Sequence, residues 1–373
     1  MNNSTISCHQ LGILASVLLL TLKFTSLPAL FFETNGVGGV ISISLIVILN
    51  IVFVLFLVWI KTKFKVAGFY EILCEYLGKF VAKAVYALFF LFFIFKFLSL
   101  LSDGFGFIRD VADEEFTIFS FLICFIPVCC ALANSGIRNI GRTAEFFFPY
   151  IIVGLAISIL LSFVPVDIFG VGTQIKGSFS GLLNSLTNFA FWNGDVFAIL
   201  FFLDRFTIKK CEIKNILIPF VITSVLLVST YIVYYSLYQQ TSIFHNNMLY
   251  DIVQYAIGTS SGWHMDIFAI IVFMICIIIQ GGIFMLCAVQ CLKNIFNFDN
   301  KALLFTSVVL VLVFGDFLFL DDYFEYVAYA RTYLSIFALI LLFGVFVLLG
   351  IFTLFKASKK VKGGKNARSQ SLS

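Results

Sequence analysis

Charged residues are scarce in this 373-residue sequence. They make up 12% of the chain, against about a quarter in ordinary soluble domains. Hydrophobic residues make up 61%, and the mean hydropathy is +1.07. Apolar runs of about 18 residues or more recur along the whole length, and each is long enough to cross a bilayer. The composition therefore excludes an ordinary soluble protein and predicts a polytopic membrane protein.

The sequence also lacks the motifs of several other classes. Residues 1–10 have no basic stretch and no cleavage pattern follows, so no signal peptide is predicted. The nine cysteines have neither zinc-like nor redox spacing and are interpreted as small core residues. His245 and His264 have no third ligand at a suitable spacing. No catalytic constellation lies at one membrane depth and no loop is long enough to hold an enzyme domain, so we expect no enzyme activity. We also expect no metal, no cofactor and no nucleic-acid partner.

Hydropathy windows of about 19 residues predict ten membrane spans. These lie near 11–32, 38–60, 80–102, 117–134, 145–163, 183–203, 215–237, 267–291, 302–320 and 331–355. The predicted fold is an all-α polytopic membrane protein. It has an N-terminus at 1–10, a permease-like transmembrane domain at 11–356, and a basic, Gly/Ser-rich tail at 357–373, which we expect to be disordered near anionic headgroups.

Basic residues concentrate on one side of this topology. One set of loops and the C-terminal tail hold 18 of the 24 lysines and arginines, whereas the alternate loops are acidic, as at Glu33, Asp110 and Asp251. The positive-inside rule therefore places both termini in the cytoplasm. An even number of spans agrees with termini on the same side.

Two of the predicted spans are interrupted in corresponding places. Ten spans divide into two sets of five, and because five is odd the second set enters the membrane inverted, as in LeuT-like folds. Span 1 then corresponds to span 6, and the breaks fall at 22–28 (LKFTSLP) and 191–195 (FWNGD). Pro28 lacks an N–H, and Asn193-Gly194 is a poor helix interior. Matching breaks indicate a transporter-type binding site; the alternative is that Pro28 only kinks a packed helix.

Unwound backbone at such breaks offers N–H groups to anions and carbonyl groups to cations, which suits a zwitterion such as an amino acid. The apolar side chains at the breaks favour a hydrophobic or small neutral ligand. The candidate ligand-binding residues are Lys23, Phe24, Thr25, Ser26, Phe191, Trp192, Asn193, Gly194 and Asp195.

Lys23 places a charge in the middle of span 1, where it costs about 2.5–3.5 kcal/mol. Asp195 is the only acidic residue in the central part of any predicted span. We expect these two side chains to pair across a central cavity, directly or through water or ligand. Removing one member of a buried pair strands the other.

Three other features concern ion coupling and packing. Lys96 lies toward the outer end of predicted span 3, so we expect it to snorkel toward the surface and Asp103.

Residues 264–292 contain no serine or threonine, which disfavours a sodium site built from span 8 hydroxyl groups. Two alternatives to sodium remain open. The Lys23 ammonium could stand where a cation would otherwise bind, or Lys23 and Asp195 could carry protons. Gln280-Gly281-Gly282 is typical of a helix-packing notch with one polar group.

Several motifs together resemble the spore germination permeases. The stretch ISCHQLGIL…KFTSLPALFFETNGVGGVIS resembles their amino-terminal signature. These proteins are the B-type membrane subunits of nutrient germinant receptors, a branch of the amino acid–polyamine–organocation superfamily. The matching positions are Ile6, Ser7 and Gln10; Lys23, Leu27 and Pro28; Leu77, Gly78 and Lys79; Gly136, Ile137, Ile140, Arg142 and Glu145; and Gly194 with Asp195, where the family often has Gly-Glu.

The resemblance implies a subunit that senses a small nutrient germinant, often an amino acid, in the inner membrane of the spore. It implies two partners, an A-type membrane subunit and a lipoprotein C-type subunit. The runner-up interpretation is a free-standing proton-linked amino acid permease. Ligand uptake by this chain alone in vesicles would distinguish the two.

Overall fold

The computed structural model describes residues 5–25, 27–64, 68–111, 117–162, 178–206, 213–245, 247–257, 266–298, 300–319 and 323–370. Within these ranges every regular element is helical. The α-helices are α1 (Cys8–Leu20), α2 (Leu27–Asn35), α3 (Gly39–Lys63), α4 (Phe69–Leu77), α5 (Lys79–Val111), α6 (Ile118–Ser135), α7 (Ile137–Ser162), α8 (Phe179–Asn188), α9 (Ala190–Asn193), α10 (Ile213–Tyr238), α11 (Met248–Ile257), α12 (Asp266–Phe296), α13 (Lys301–Phe319), α14 (Tyr323–Tyr329) and α15 (Ser335–Gln370). Tighter 3₁₀ turns occupy Thr21–Lys23, Gly36–Gly38, Gly194–Arg205 and Gln239–Phe244, and a π turn occupies Ala330–Leu334.

The described helices make this a multi-pass membrane protein. Seven of them are long and apolar enough to cross a bilayer, and an eighth crossing is formed if the bent pair Phe179–Asn188 and Ala190–Arg205 counts as one span. Cys8–Lys23 and Lys301–Val313 are apolar but shorter. The number ten therefore stays a prediction, whereas the all-helical, membrane-spanning class is confirmed.

Two segments differ in extent from their sequence prediction. Leu27–Lys63 runs as one apolar unit of 37 residues, about 55 Å if straight, well beyond a hydrocarbon core of about 30 Å. Gly36 has a φ of 56°, a left-handed conformation that favours glycine, and it falls where α2 passes into α3. At the other end of the chain, α15 continues to Gln370 through the basic segment for which the sequence predicts disorder from 357.

The core of the molecule forms around α1. Almost every residue of α1 is buried, as expected of a helix that is hydrophobic on all sides, and α1 packs against α10, α7 and α12. The approach to α10 is very close, because a Cβ at Gly12 would lie 2.5 Å from the carbonyl oxygen of Ile216. The helix that ends next to Lys23 is thus held at the centre of the bundle.

Candidate ligand site at two helix breaks

The first break separates α1 from α2. After α1 ends at Leu20, one 3₁₀ turn covers Thr21–Lys23, and Phe24 and Thr25 form a turn before α2 begins at Leu27. Pro28 stands in the first turn of α2, where its missing N–H costs no intrahelical hydrogen bond. The interruption thus lies where the proline predicts it, immediately before a new helix start.

Groups from α10 and α11 bond to carbonyl oxygens at this break. The Tyr231 hydroxyl donates to the Lys23 carbonyl at 2.9 Å, and the Tyr235 hydroxyl donates to the Pro28 carbonyl at 2.7 Å. The Met248 N–H donates to the Phe24 carbonyl at 2.9 Å. Backbone that leaves a helix at membrane depth needs such partners. Because these carbonyl oxygens already accept hydrogen bonds, side chains rather than bare carbonyls define the chemistry of the break.

The second break lies between α8 and the 3₁₀ helix Gly194–Arg205. The chain bends by 71° between Phe179–Asn188 and Ala190–Arg205. At the bend, the Ser335 hydroxyl donates to the Asn188 carbonyl at 2.6 Å, immediately after the π turn Ala330–Leu334. The 3₁₀ helix has 12 residues, whereas such helices rarely exceed about four, and long or mid-helix stretches often mark hinges. The element that carries Asp195 is therefore built differently from an ordinary span.

An ion pair joins the two breaks. The Lys23 ammonium donates to Asp195 Oδ2 at 2.7 Å and to the Trp192 carbonyl at 2.6 Å. Both charged side chains are 0% exposed. Asp195 stands in the first turn of its 3₁₀ helix, where the partial positive charge of a helix start favours a carboxylate. The expected pairing of Lys23 with Asp195 is thus present and direct.

A second lysine shares the same carboxylate. Lys96 Nζ lies 2.5 Å from Asp195 Oδ1 and is also 0% exposed, and it lies 4.4 Å from the centroid of the Phe191 ring. The expectation that Lys96 snorkels to the surface is wrong. The prediction ended span 3 at residue 102, but α5 continues to Val111, so Lys96 lies in the middle of the helix. The site therefore contains two ammonium groups and one shared carboxylate, which we call the charged triad: Lys23, Lys96 and Asp195.

The two lysines differ in their hydrogen bonding. Lys23 makes two hydrogen bonds, whereas Lys96 Nζ and Asp195 Oδ1 approach each other without hydrogen-bond alignment. With all three groups ionised, the triad carries one excess positive charge in a site without solvent contact. Charges interact strongly in such surroundings, so the excess charge is balanced either by Asp103 of the same helix, which also acts on Lys96, or by an added anion.

Most of the predicted site residues gather around the charged triad. The buried ones are Lys23, Phe24, Thr25, Phe191, Trp192, Gly194 and Asp195. The Thr25 hydroxyl donates to Asp103 Oδ2 at 3.2 Å, so α5 contributes a second carboxylate beside the first break. Ser26 lies outside the described residues.

Asn193 is placed differently from the other predicted residues. Its Nδ2 donates to the Phe189 carbonyl at 2.8 Å, while its Oδ1 is buried with no hydrogen-bond partner in the described part of the chain. With Asn50 it lines an apolar groove between α3, α9 and α15. Asn193 thus belongs to the hinge and to this groove.

Sequence reasoning missed further residues of the site. Tyr231 and Tyr235 were not singled out, although Tyr231, Tyr234, Tyr235 and Tyr238 recur at helical spacing on α10, a pattern that places polar tips along one stripe. Gln280 of α12 is buried, and neither of its amide atoms has a hydrogen-bond partner within the described ranges. The sequence had named Gln280 only as the polar group of a packing notch, and the close packing is present, since a Cβ at Gly281 would lie 2.7 Å from Cys129 Sγ. The buried amide in addition leaves a donor and an acceptor to be filled.

The position of Gln280 can be read from its neighbours on α12. Ile277, one turn before it, would lie 3.3 Å from a Cβ at Gly104, and the Phe284 ring, one turn after it, lies 6.0 Å from the Phe93 ring. Both contacts are with α5. Gln280 therefore lies on the face of α12 that packs against the helix carrying Lys96.

Two broken helices that bring opposite charges together within a helical membrane bundle define a transporter-type fold. Among solved structures, the chain is similar to a sodium-coupled sialic acid symporter in a substrate-bound, outward-open state. The match has a TM-score of 0.58 at 15% identity and covers 93% of this chain and 76% of the symporter. At this identity the likeness concerns the fold alone. Comparison with curated protein sequences gives no match.

The family of the chain follows from its sequence. The family model for spore permeases, described as spore germination protein, matches residues 5–322. The chain therefore belongs to the spore germination protein family. The match extends well beyond residue 205, where the visible sequence resemblance ended, and includes both breaks, α5 and α12.

Proposed function

We propose that this chain is the membrane subunit of a spore nutrient germinant receptor and that it binds a small nutrient, most simply an amino acid, at the two helix breaks. The observation that carries the proposal is the charged triad, which joins Lys23 of the first break to Asp195 of the second. A ligand that enters between them would contact both hinges at once. Binding would then change the relative position of the helices, which is what a receptor requires.

A zwitterion complements the available groups. Its carboxylate would neutralise the excess positive charge beside Lys96, and its ammonium would face Asp195. Gln280 supplies an amide whose donor and acceptor have no described partner, and Phe24, Phe191 and Trp192 supply apolar lining. The side chains of the triad are fully buried, which supports a closed site in which the lysines bind the carboxylate directly until the ligand enters.

The wider architecture belongs to the same proposal. We infer ten spans in a five-plus-five inverted repeat, with Cys8–Lys23 and Lys301–Val313 as the shorter crossings. Both termini would be cytoplasmic, because the loops and tail on that side are basic. The protein would act in the inner membrane of the spore with an A-type membrane subunit and a lipoprotein C-type subunit.

A binding screen tests this function. The purified full chain is screened against amino acids, sugars and nucleosides by thermal stabilisation, since a ligand that binds only the folded state raises the melting temperature. We expect stabilisation by at least one amino acid, and its loss in Lys23→Ala and Asp195→Ala. Lys83→Ala, a lysine elsewhere on α5, is the matched control and should respond like the wild type. Equal stabilisation of all four proteins would contradict binding at the breaks.

The second candidate is a proton-linked amino acid permease, favoured by the excess cation at Lys96. Uptake of the stabilising amino acid by vesicles that contain this chain alone would support it. A receptor subunit instead binds the ligand without accumulating it, and spores that produce the Asp195→Ala variant would fail to germinate on the nutrient.

A further inference from the structure

A cavity of about 500 Å³ opens on the side of the molecule that carries most of the basic loops. It lies where α6 turns into α7, next to the start of α13 and the end of the 3₁₀ helix Gly194–Arg205. Its volume is within the range of about 300–1,000 Å³ that is usual for small-molecule sites. The residues that line it include Ser135, Arg138, Asn139, Arg205, Gln290 and Lys301. The cavity is thus separate from the charged triad, which lies at the other end of the 3₁₀ helix.

Three cations from three separate elements line this cavity. Arg138 stands in the first turn of α7, Arg205 ends the 3₁₀ helix, and Lys301 begins α13. Arg205 Nε lies 2.9 Å from Asp204 Oδ2, so this guanidinium is partly neutralised. Arg138 and Lys301 have no carboxylate within ion-pair distance in the described part of the chain. The cavity therefore has an excess of positive charge.

The convergence of these cations needs an explanation beyond membrane topology. The positive-inside rule accounts for basic residues on this side of the bundle, but not for their meeting around one concave surface. Arg138 and Lys301 are exposed, whereas the side chain of Arg205 is only 19% exposed. A guanidinium has further N–H donors beyond Nε, and their planar arrangement matches two oxygens of one oxyanion. The geometry of the cavity is therefore suited to an anion with several oxygens.

The start of α7 adds backbone donors to the same wall. Gly136 has a φ of 87°, a left-handed conformation that favours glycine, and it lets α6 turn directly into α7. The N–H groups of Ile137 and Arg138 open a helix of 26 residues, where they have no intrahelical acceptor. The partial positive charge of a helix start attracts anions. It reinforces the three side chains, which supply the full charges.

Arg205 connects the cavity to both broken helices. It ends the 3₁₀ helix whose first turn holds Asp195, and its carbonyl accepts from the Ile6 N–H at 2.9 Å, just before α1 begins. The first turn of α1 is also bonded to α7, because Gln10 Nε2 donates to Glu145 Oε2 at 2.8 Å. A ligand in the cavity would therefore bridge α7, α13 and the element that carries Asp195.

We infer that this cavity is a binding site for a phosphate group, held by Arg138, Arg205 and Lys301. Guanidinium and ammonium groups, together with the N–H groups of a helix start, are the donors that phosphate oxygens use in proteins. The cavity is larger than one phosphate ion, so the phosphate belongs to a larger molecule, either a phospholipid or a small soluble phosphate ester. This site is distinct from the two helix breaks and does not depend on the nutrient proposed to bind there.

Isothermal titration calorimetry on the full chain in detergent tests this site with two pairs of probes. Glycerol 3-phosphate is compared with glycerol, and dioctanoyl-phosphatidylglycerol is compared with dioctanoylglycerol, which has the same chains and no phosphate. We expect at least one phosphate-bearing probe to bind and its phosphate-free counterpart not to bind. Binding of glycerol 3-phosphate would assign the site to soluble phosphate esters, and binding of the phospholipid alone would assign it to a lipid headgroup.

Charge-matched variants test the residues that hold the phosphate. We expect Arg138→Gln combined with Lys301→Gln to weaken binding of the phosphate-bearing probe by about tenfold or more, because two charge-assisted contacts are lost. Both side chains are exposed, so the variant should fold. Lys63→Gln combined with Arg142→Gln removes the same charge from exposed positions outside the cavity and should bind like the wild type. If no phosphate-bearing probe bound, or if the two double variants bound it equally well, the cavity would not be a phosphate site.

Discussion

Asp195 is a single carboxylate between two buried ammonium groups. Its Oδ2 accepts from Lys23 and its Oδ1 contacts Lys96, so each oxygen serves a different helix. Burying a charge is costly unless it is paired. The three residues therefore depend on one another unequally: each lysine has one carboxylate partner in the triad, and Asp195 has two cations.

This difference in the number of partners predicts which substitution in the triad destabilises the folded protein most. Asp195→Ala strands two ammonium groups, whereas Lys23→Ala or Lys96→Ala leaves a paired carboxylate. We expect Asp195→Ala to destabilise the protein by about 3–5 kcal/mol and each lysine variant by clearly less. Thermal unfolding can be followed with a thiol-reactive dye, because Cys276, Cys287 and Cys291 are buried and react only when the bundle opens.

The control and the contradicting outcome concern the same assay. Glu75→Ala, in an exposed position of α4, should leave the unfolding temperature unchanged. Lys23→Ala combined with Asp195→Ala should cost less than the sum of the single changes, because the pair is then removed together. If the single variants were equal and additive, the three side chains would not be acting as a coupled unit.

The charged triad was partly predictable from the sequence. Lys23 and Asp195 could be paired because each is a rare charge within an apolar run and the two runs correspond by the repeat argument. Lys96 was misplaced because hydropathy ends the span at the charges from Asp103 to Asp110. Asp103, however, is buried against Thr25, and no single-residue scale records that its partner comes from a distant segment.

At the scale of elements, the two breaks are stabilised in different ways. The first relies on tyrosine hydroxyls from α10, and the second on Ser335 and a long 3₁₀ helix. The positions of the breaks follow from Pro28 and from Asn193-Gly194. The groups that bond to the breaks cannot be predicted from the sequence. Their hydrogen bonds join residues more than a hundred positions apart, and a local sequence pattern does not reveal such contacts.

The packing of α1 on α10 yields a prediction for the element that carries Lys23. A Cβ at Gly12 would lie 2.5 Å from the Ile216 carbonyl oxygen and 2.9 Å from its Cα. Backbone atoms cannot rotate away, so Gly12→Ala must move α1. We expect a loss of about 1–3 kcal/mol, typical of overpacking, measured by thermal unfolding, together with weaker nutrient binding because the first break moves with the helix.

Gly106→Ala in α5 is the matched control for this change. No atom lies within 4 Å of a Cβ built at Gly106, so only helix propensity acts there and the substitution should be neutral or stabilising by up to about 1 kcal/mol. If Gly12→Ala were as well tolerated as Gly106→Ala, the close approach of α1 to α10 would be wrong.

At the scale of the whole molecule, α11 covers the acidic end of the bundle. Its Met248 N–H bonds to the first break, and Asp251 Oδ1 lies 3.6 Å from His245 Nδ1. Asn247 links this cover to Asp110 of α5. The sequence allows a short interfacial helix in this stretch, but hydropathy could not predict that it contacts the first break, because a ten-residue helix is too short for a span and resembles any surface segment.

The cover makes the stability of the whole protein depend on pH. Burial raises the pKa of Asp251 from 3.8 to about 6, although His245 opposes the shift and Asp110 adds to it. Because the folded pKa is the higher one, the stabilisation is complete below about pH 4 and is lost as the pH rises through about 6. We expect this stabilisation to be on the order of 3 kcal/mol. The slope of unfolding temperature against pH in this window should shrink in Asp251→Asn but not in the exposed Glu75→Gln. His245→Gln should move the pH range of this loss to higher pH, since it removes the imidazole that opposes the rise in the pKa of Asp251. An unchanged slope in Asp251→Asn would show that Asp251 does not link protonation to folding.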